Sequence, residues 1–494
     1  MSLRLSRRDL LPLAAVSPSA FAALLRDLSA AGKGLTQASE PKTVIVIGAG
    51  LAGLSAGYEL AQAGHRVTIL EARQRAGGRV LTLREPFSDG LYVDAGASQI
   101  PTNHHLTLEY VRRFGLELVR AVPSDQASIR WIQGRRLPVE PGGAFDWPYD
   151  LTPEERRLGP EGLMEKYVLR IHRHQDQPIT VSPDWIPPEL QKHDRVSFAE
   201  FLKRQGASPG AVRLLGFGYY DLWGEGTDRI SALMLMREIR HQFSHDPPYA
   251  IRGGNDQLPK SFARELTERI RYGAPVVRIE QDEHGVRATF EQSGLRHTIG
   301  GEYIVCGIPF SVLKDVAMSP PFPAAKQRVI DQLPYMSISR VYLQCRWRYW
   351  ADQGFSGDAA MDDPPTIISD ETRGQEGPRG ILHSFMARDQ ARRVAAMAER
   401  ERIDYAVNQV EKIYPGVREH LEGGVSKCWD DDPWARGAAA WFRPGQMIDF
   451  LPDIGRPVGR IHFAGEHISP WPGWMQGALQ SGLRVAREVH EADV

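Results

Sequence analysis

Three glycine-rich turns hold the residues with the clearest chemical meaning. The first is Gly48-Ala49-Gly50-Leu51-Ala52-Gly53, a GxGxxG spacing. In such a turn the first glycine permits a tight bend. The second lets backbone approach a pyrophosphate, and the third lets a helix pack close to a strand. The N-terminus of the following helix offers free amide donors and a positive dipole to phosphate. Glu71 lies 18 residues past Gly53, where a carboxylate can accept hydrogen bonds from ribose hydroxyls. The second turn, Gly77-Gly78-Arg79, follows Ala72-Arg73 and suits a long, bent cofactor that needs further donors. The third is Phe463-Ala464-Gly465-Glu466-His467, followed by Gly473-Trp474 and Gly477. A dinucleotide is the expected ligand; the alternative is a tight strand–helix turn that binds nothing.

The elements around these turns fit that chemistry. Thr43–Ile47 is a β-branched apolar run and predicts a strand. Residues 54–63 follow as a helical pattern closed by Gly64, and 65–70 form a second strand ending at Glu71. A βαβ start predicts an α/β fold with a parallel sheet covered by helices. Residues 140–245 carry prolines, charge runs and amphipathic stretches, and predict a mostly helical insertion. Residues 276–279 and 286–290 flank Asp282-Glu283-His284-Gly285 as a hairpin. Residues 303–306 and 340–346 read as strands, the latter in a mixed sheet. A late strand at 461–463 and a final helix at 476–491 bring the end of the chain back to the first domain. No internal repeat is found.

Composition narrows the class. The chain has 494 residues, enough for several domains and a large core. Lys+Arg is 60 and Asp+Glu is 61, so no global field draws it to nucleic acid or an anionic membrane. Three cysteines, Cys306, Cys345 and Cys428, are too few for a disulfide framework, and no zinc spacing is present. No apolar run is long enough to span a membrane. Near the start, Arg7-Arg8 precedes a moderately apolar stretch, which is similar to a twin-arginine export signal. That predicts a periplasmic or secreted bacterial protein, or a cytoplasmic one if the signal is unused; a frayed amphipathic tail is the plain alternative.

Taken together, GAGLAG (48–53), LEAR (70–73), GGRV (77–80), RGGNDQLP (252–259), FAGEH (463–467) and GWMQGALQSGLRVA (473–486) resemble the flavin-dependent amine oxidases of the monoamine, polyamine and L-amino acid oxidase group. The resemblance spans about residues 42–490. It is nearest in pattern to secreted L-amino acid oxidases, through GASQIPTNHH (96–105) and ASPGAV (207–212). It implies a two-lobed fold: a Rossmann-like FAD domain from 41–90, 246–320 and 455–494, and a mixed-sheet substrate domain from 91–135 and 321–454. Residues 136–245 would be the helical insertion, and 1–40 the signal and linker. The positions implied for FAD are Gly48, Gly50, Leu51, Ala52, Gly53, Glu71, Ala72, Arg73, Gly78, Arg79, Gly96, Ala97, Ser98, Gln99, Val276, Gly465, Glu466, Trp474 and Met475. The segment that carries a flavin-linked Cys in monoamine oxidases is here Arg436-Gly437-Ala438-Ala439-Ala440-Trp441, so non-covalent FAD is expected. The implied reaction is hydride transfer from an amine carbon to flavin N5, imine hydrolysis, and reoxidation by oxygen to give hydrogen peroxide. A homodimer is compatible with the sequence, which shows no interface motif.

Three departures from the family pattern bear on substrate. The Arg that pairs with the substrate carboxylate in L-amino acid oxidases is Gln99, and its Tyr partner falls at about Ser384. Losing the cation removes a charge-assisted pair. Arg388 or Arg443 is the alternative source of positive charge. The Lys beside flavin N5 in the family is replaced by Arg340, which keeps the charge but not the compact head, so slow reoxidation by oxygen is one expectation; the alternatives are that the exchange has little effect or that Arg340 reaches the substrate instead. Of the two aromatic rings that sandwich the amine, Trp474 remains beside Gly473, while the other falls on Ala438 or Ala439, which predicts a wider cavity. Trp441 and Trp471 are weaker wall candidates. His104-His105 reads as an entrance or surface pair on a strand, and His467 as near the flavin or as a packed histidine. No metal site is expected. Gln99, Arg340 and Trp474 are the catalytic candidates, and Gln99, Ser384, Ala439, Gly473 and Trp474 the substrate-binding ones. An amine oxidase acting on a substrate without an α-carboxylate is expected. The alternatives are an L-amino acid oxidase with a rebuilt carboxylate site, a flavin dehydrogenase or desaturase, and a non-enzymatic flavin protein.

Overall fold

Strand Thr43–Ile47 reads TVIVI because both of its faces are covered, and four of its five residues are buried. It lies at the centre of a five-stranded, wholly parallel sheet in the order Ile461–Phe463, Tyr303–Cys306, Thr43–Ile47, Arg66–Leu70, Ile270–Arg271. That order explains how the chain's end returns to its beginning: Cys306 registers with Ile47 on one side and Phe463 on the other. The computed structural model describes residues 34–172, 186, 188–242, 247–362 and 364–492. The Arg7-Arg8 segment lies outside the described residues.

Helix Leu51–Gln62 leaves the central strand and packs against the final helix, Met475–Glu491. Small residues permit the close crossing. A Cβ on Gly482 would collide with the Ala52 carbonyl and the Ser55 hydroxyl. On the other side of the sheet, a four-stranded sheet (Leu295–Gly301, Gly285–Gln292, Val276–Asp282, Ala317–Ser319) supplies a second layer.

The second lobe is a seven-stranded mixed sheet. Its order is Leu421–Cys428, Ile338–Cys345, Gly380–Ala387, Pro365–Asp370, Phe355–Asp362, Ala127–Ile132, Arg135–Val139. Helices Arg388–Ala395 and Glu399–Ile413 cover one face, burying Val394, Val407 and Val410 with Val341 and Leu343. The other face looks toward the parallel sheet. Between the lobes the chain adds helices Pro153–Tyr167, Pro188–Asp194, Phe198–Arg204, Pro209–Gly216 and Ala232–Gln242.

Two expected boundaries move. The sequence places residues 91–135 in the substrate lobe, but helix His105–Arg113 buries Leu106, Tyr110 and Val111 in the core around Val44 and Val46. The chain crosses to the seven-stranded sheet only at Ala127. The insertion expected from residue 136 begins after Val139, because Arg135–Val139 pairs with Ala127–Ile132 as an edge strand.

Candidate active site

The turn after the central strand has the geometry its glycines imply. Gly48 takes φ +96, a conformation that side chains disfavour. Gly50 is the N-cap of helix Leu51–Gln62, yet no side chain caps it and no acid stands in the first turn. The final helix begins at Met475 in the same way, with Trp474 as an N-cap lacking a side-chain cap and again no acid in the first turn. Two helix N-termini therefore present free N–H groups and positive dipole ends to one cavity, whose wall includes Gly50, Leu51, Ala52, Trp474 and Met475. Such a cavity is built for an anion.

Glu71 closes the second strand. Its Oε2 accepts the Ala49 N–H at 2.7 Å and its Oε1 the Arg73 N–H at 2.8 Å. Burial raises its pKa, and these two bonds oppose the rise. The Gly77-Gly78-Arg79 loop lies against the first turn: the Gly77 N–H donates to the Ala49 carbonyl at 2.8 Å. Arg79 Nη1 meets Glu466 Oε1 at 2.7 Å, while Glu466 Oε2 accepts the Gly473 N–H at 2.8 Å. Glu466 thus ties the second and third glycine turns into one wall.

The opposite wall comes from the seven-stranded sheet and obeys strand alternation. Arg340 registers with Phe385, which registers with Ile367; one pair further, Tyr342, His383 and Ser369 align. Arg340, Phe385, Ile367, His383 and Ser369 all line the cavity, and Glu371 follows at the strand end. Arg340 Nη1 donates to the Asp94 carbonyl at 3.0 Å and its guanidinium covers the Phe385 ring at 5.0 Å. Tyr342 Oη and Trp429 Nε1 hold the neighbouring carbonyls of Asp94 and Ala95, at 3.2 and 3.0 Å. Three side chains of the substrate lobe therefore fix the strip that leads to Gly96-Ala97-Ser98-Gln99.

The helical insertion supplies the third wall through Tyr219, Leu222 and Trp223. Trp474 is steered from the same insertion: its Nε1 donates to Glu238 Oε2 at 3.1 Å, and His104 packs edge-on to its ring at 4.9 Å.

With this geometry in view, the relatives are informative. The family model for flavin containing amine oxidoreductases matches residues 51–490. The chain belongs to that family. The YobN protein of Bacillus subtilis (strain 168) is 35% identical over 468 residues, covering 92% of this chain and 96% of that protein. The L-amino-acid oxidase of Demansia vestigiata is 30% identical over 473 residues, covering 94% of this chain and 89% of the relative. Among solved structures, the cyclohexylamine oxidase from Brevibacterium oxydans IH-35A superposes with a TM-score of 0.77 at 22% identity, over 92% of this chain and 99% of that one. A putrescine oxidase bound to putrescine gives 0.77 at 22% identity over 91% and 99%. These two show the fold.

The enzyme is thus a flavin-containing amine oxidoreductase, and the cavity fits a flavin dinucleotide by its own features. Two uncapped helix N-termini suit the phosphates, and Glu71 retains lone pairs for hydroxyl donors. A Cβ at Gly50 meets nothing within 4 Å, so that glycine faces open cavity.

Of the residues expected at the site, Gly48, Gly50, Leu51, Ala52, Glu71, Ala72, Arg73, Gly78, Arg79, Gly96, Ala97, Ser98, Gln99, Val276, Arg340, Ala439, Gly465, Glu466, Gly473, Trp474 and Met475 line one cavity. Two do not. Gly53 lies behind the turn, where a Cβ would strike the Gly48 carbonyl oxygen, so its part is packing. Ser384 is fully buried and points to the other face of its strand, between the lining residues His383 and Phe385. Period-2 alternation from Phe385 would have revealed this.

Burial and lining decide the further expectations. His104 is 1% exposed, at the start of helix His105–Arg113 rather than on a surface strand. Burial, assisted by His105, lowers its pKa to about 3, so it is a neutral packing ring. For His467 the packed alternative holds: it is buried and off the cavity, with the Phe310 ring at 4.5 Å. The widening expected beside Ala439 is countered by Trp223: the space next to Gly473 is bounded by Trp223 Cη2 at 3.1 Å and Ala439 Cβ at 3.4 Å from where its Cβ would stand. Neither Arg388 nor Arg443 lines the cavity; Arg388 pairs with Asp221 at 2.8 Å and Arg443 is exposed. Trp441 is buried behind the wall. Trp223, Glu371 and His383 were not legible, since each reaches the site from a segment with no motif.

Proposed function

We propose that the enzyme is an FAD-dependent oxidase of amines that lack an α-carboxylate. One observation carries the proposal. Gln99, at the family's carboxylate-pairing position, is exposed to the cavity and makes no hydrogen bond among the described residues. A neutral amide there gives a carboxylate a bond of about 1 kcal/mol, where a charge-assisted pair gives about 1.5–3 kcal/mol. Bound flavin supplies the two-electron acceptor for oxidation of the carbon–nitrogen bond and passes the electrons to oxygen, yielding hydrogen peroxide. The protein's part is to bind, orient and dry the amine. Trp474, fixed by Glu238 and His104, and Trp223 wall the space in front of the third glycine turn and exclude water. The carboxyl groups of Glu71 and Glu466 are engaged in backbone hydrogen bonds and the Arg79 pair, which leaves neither free as a base. Glu371, the other lining carboxylate, is held below the usual carboxylate range and is a weak base, so the amine reacts in its deprotonated form and the rate rises with pH through the substrate's own pKa.

Non-covalent attachment is supported by the cysteines: Cys306, Cys345 and Cys428 are buried and none lines the cavity. Export through the Arg7-Arg8 segment remains part of the proposal. An alternative has one observation in its favour. Arg340 is a partly exposed, cavity-lining guanidinium that forms no ion pair among the described residues, so it is a cation that a substrate carboxylate could reach. The test is peroxide production by the purified yellow protein from phenethylamine, with FAD released intact on denaturation. Peroxide rising with pH supports the proposal. Flavin that stays with the denatured chain, or a rate flat across alkaline pH, contradicts it.

A further inference from the structure

Beyond the glycine turns, the cavity carries one carboxylate that neither flavin binding nor the oxidation step employs. Glu371 stands at the end of strand Pro365–Asp370, on the sheet wall. Its Oε1 accepts the Ser369 hydroxyl at 2.6 Å and lies 2.9 Å from His383 Nδ1. A carboxylate only accepts, so His383 donates Nδ1–H to it. His383 in turn stacks on Tyr342 at 4.6 Å, which fixes its plane. One oxygen of Glu371 is doubly engaged. The other accepts no hydrogen bond among the described residues, and the side chain is 23% exposed, into the cavity.

The charges facing Glu371 are few. Arg340 lies on the same wall but forms no ion pair with it among the described residues; its Nη1 is turned to the Asp94 carbonyl and its plane covers Phe385. The Asp94 carboxylate is turned away, to Thr82 and the Asn255 N–H. Burial would raise the Glu371 pKa, but the hydrogen bond and charge of His383, the Ser369 hydroxyl and the Arg340 charge outweigh it and hold it below the usual carboxylate range. Glu371 is therefore a fixed anion, pre-oriented by two donors, with one oxygen free to accept. In sheet geometry Ser369 lies two strands across and one pair along from Arg340, about 12 Å between Cα atoms. Glu371 and the Trp223 and Trp474 side chains thus line one cavity from different elements.

Resting on the amine-oxidase reading, we propose that Glu371 is a subsite for a second cationic group on the substrate. The preferred substrates would then be aliphatic diamines, with one nitrogen neutral at the oxidation site and the distal one protonated on Glu371. The same arrangement discriminates against an alkylamine of equal length, whose methyl end leaves the carboxylate desolvated and unpaired.

The test compares 1,5-diaminopentane with hexylamine on the holoenzyme and on Glu371→Gln and Glu371→Asp, by anaerobic flavin reduction and steady-state turnover. In the wild type the diamine is expected to have the higher kcat/KM. In Glu371→Gln the diamine-to-monoamine ratio falls at least tenfold, carried by KM for the diamine, and Glu371→Asp restores part of it. A purely structural role would move both substrates together. A ratio that is the same in wild type and Glu371→Gln, or a wild type that favours hexylamine, would overturn the subsite while leaving amine oxidation intact. Flavin reduced by neither amine would overturn both.

Discussion

Gly50 and Gly53 allow binding to be separated from folding. Gly50 has φ −74, which any residue adopts, and a Cβ there meets nothing within 4 Å. Gly50→Ala should leave stability within about 0.5 kcal/mol of wild type, with a small gain from the stiffer unfolded chain. The methyl group nonetheless projects where the pyrophosphate approaches backbone, so the purified protein should carry little flavin and regain little on incubation with FAD. Gly53→Ala is the converse. Its Cβ would press on the Gly48 carbonyl oxygen and stand 3.1 Å from Val46 Cγ1, both in the most buried part of the sheet. Neither can yield without moving helix Leu51–Gln62, a cost of about 1–3 kcal/mol or more. Flavin content and thermal melting of the apo forms read the two effects apart. Gly50→Ala that binds FAD like wild type would refute the assignment of this turn to the phosphates. Equal destabilisation in both variants would refute the separation of roles.

Three other outcomes follow from named contacts. Gln99→Arg adds a cation to an exposed wall position; discounted for solvent, it should raise kcat/KM for phenylalanine relative to phenethylamine by about tenfold, or about 1.4 kcal/mol, and an unchanged ratio counts against the Gln99 argument. Arg340→Lys should speed reoxidation by oxygen in stopped flow with little change in anaerobic reduction, and slower reoxidation would contradict the role given to the bulky head. Burial, against the Thr82 and Asn255 hydrogen bonds, raises Asp94 from 3.8 to about 7. The folded state thus holds this proton more tightly than the unfolded chain, so the stabilisation is full below pH 3.8 and is lost as pH rises to about 7. It is worth at most roughly 4 kcal/mol. Asp94→Asn, which keeps an acceptor for both donors, should melt higher than wild type at pH 8 and show little difference near pH 4; a constant offset would contradict this.

Much of the nucleotide half was legible because its signals are local. A TVIVI strand, a GxGxxG turn and an acid at the next strand end sit within 30 residues, and period and turn chemistry alone place them. The late FAGEH turn was legible for the same reason, and the register of Phe463 with Cys306 bears out its return to the first sheet. The substrate half was not. Glu371 and His383 meet only because strands Pro365–Asp370 and Gly380–Ala387 pair in one register, and sequence does not show which strands pair. Ser384 faces away from the cavity while its neighbours His383 and Phe385 line it, because one step along a strand reverses the face. The Ala439 position looks empty in sequence, yet Trp223 of the insertion stands beside it, a long-range compensation that no local pattern reveals.

The central claim is that the site takes an amine and not its α-amino acid. The most direct test is anaerobic bleaching of the wild-type flavin with matched pairs: phenethylamine against phenylalanine, tryptamine against tryptophan, cadaverine against lysine. Reduction by the amines with the amino acids inert is the predicted result. Reduction by the amino acids instead would show that Arg340 or another cation has replaced the missing arginine, and that Gln99 does not govern substrate choice.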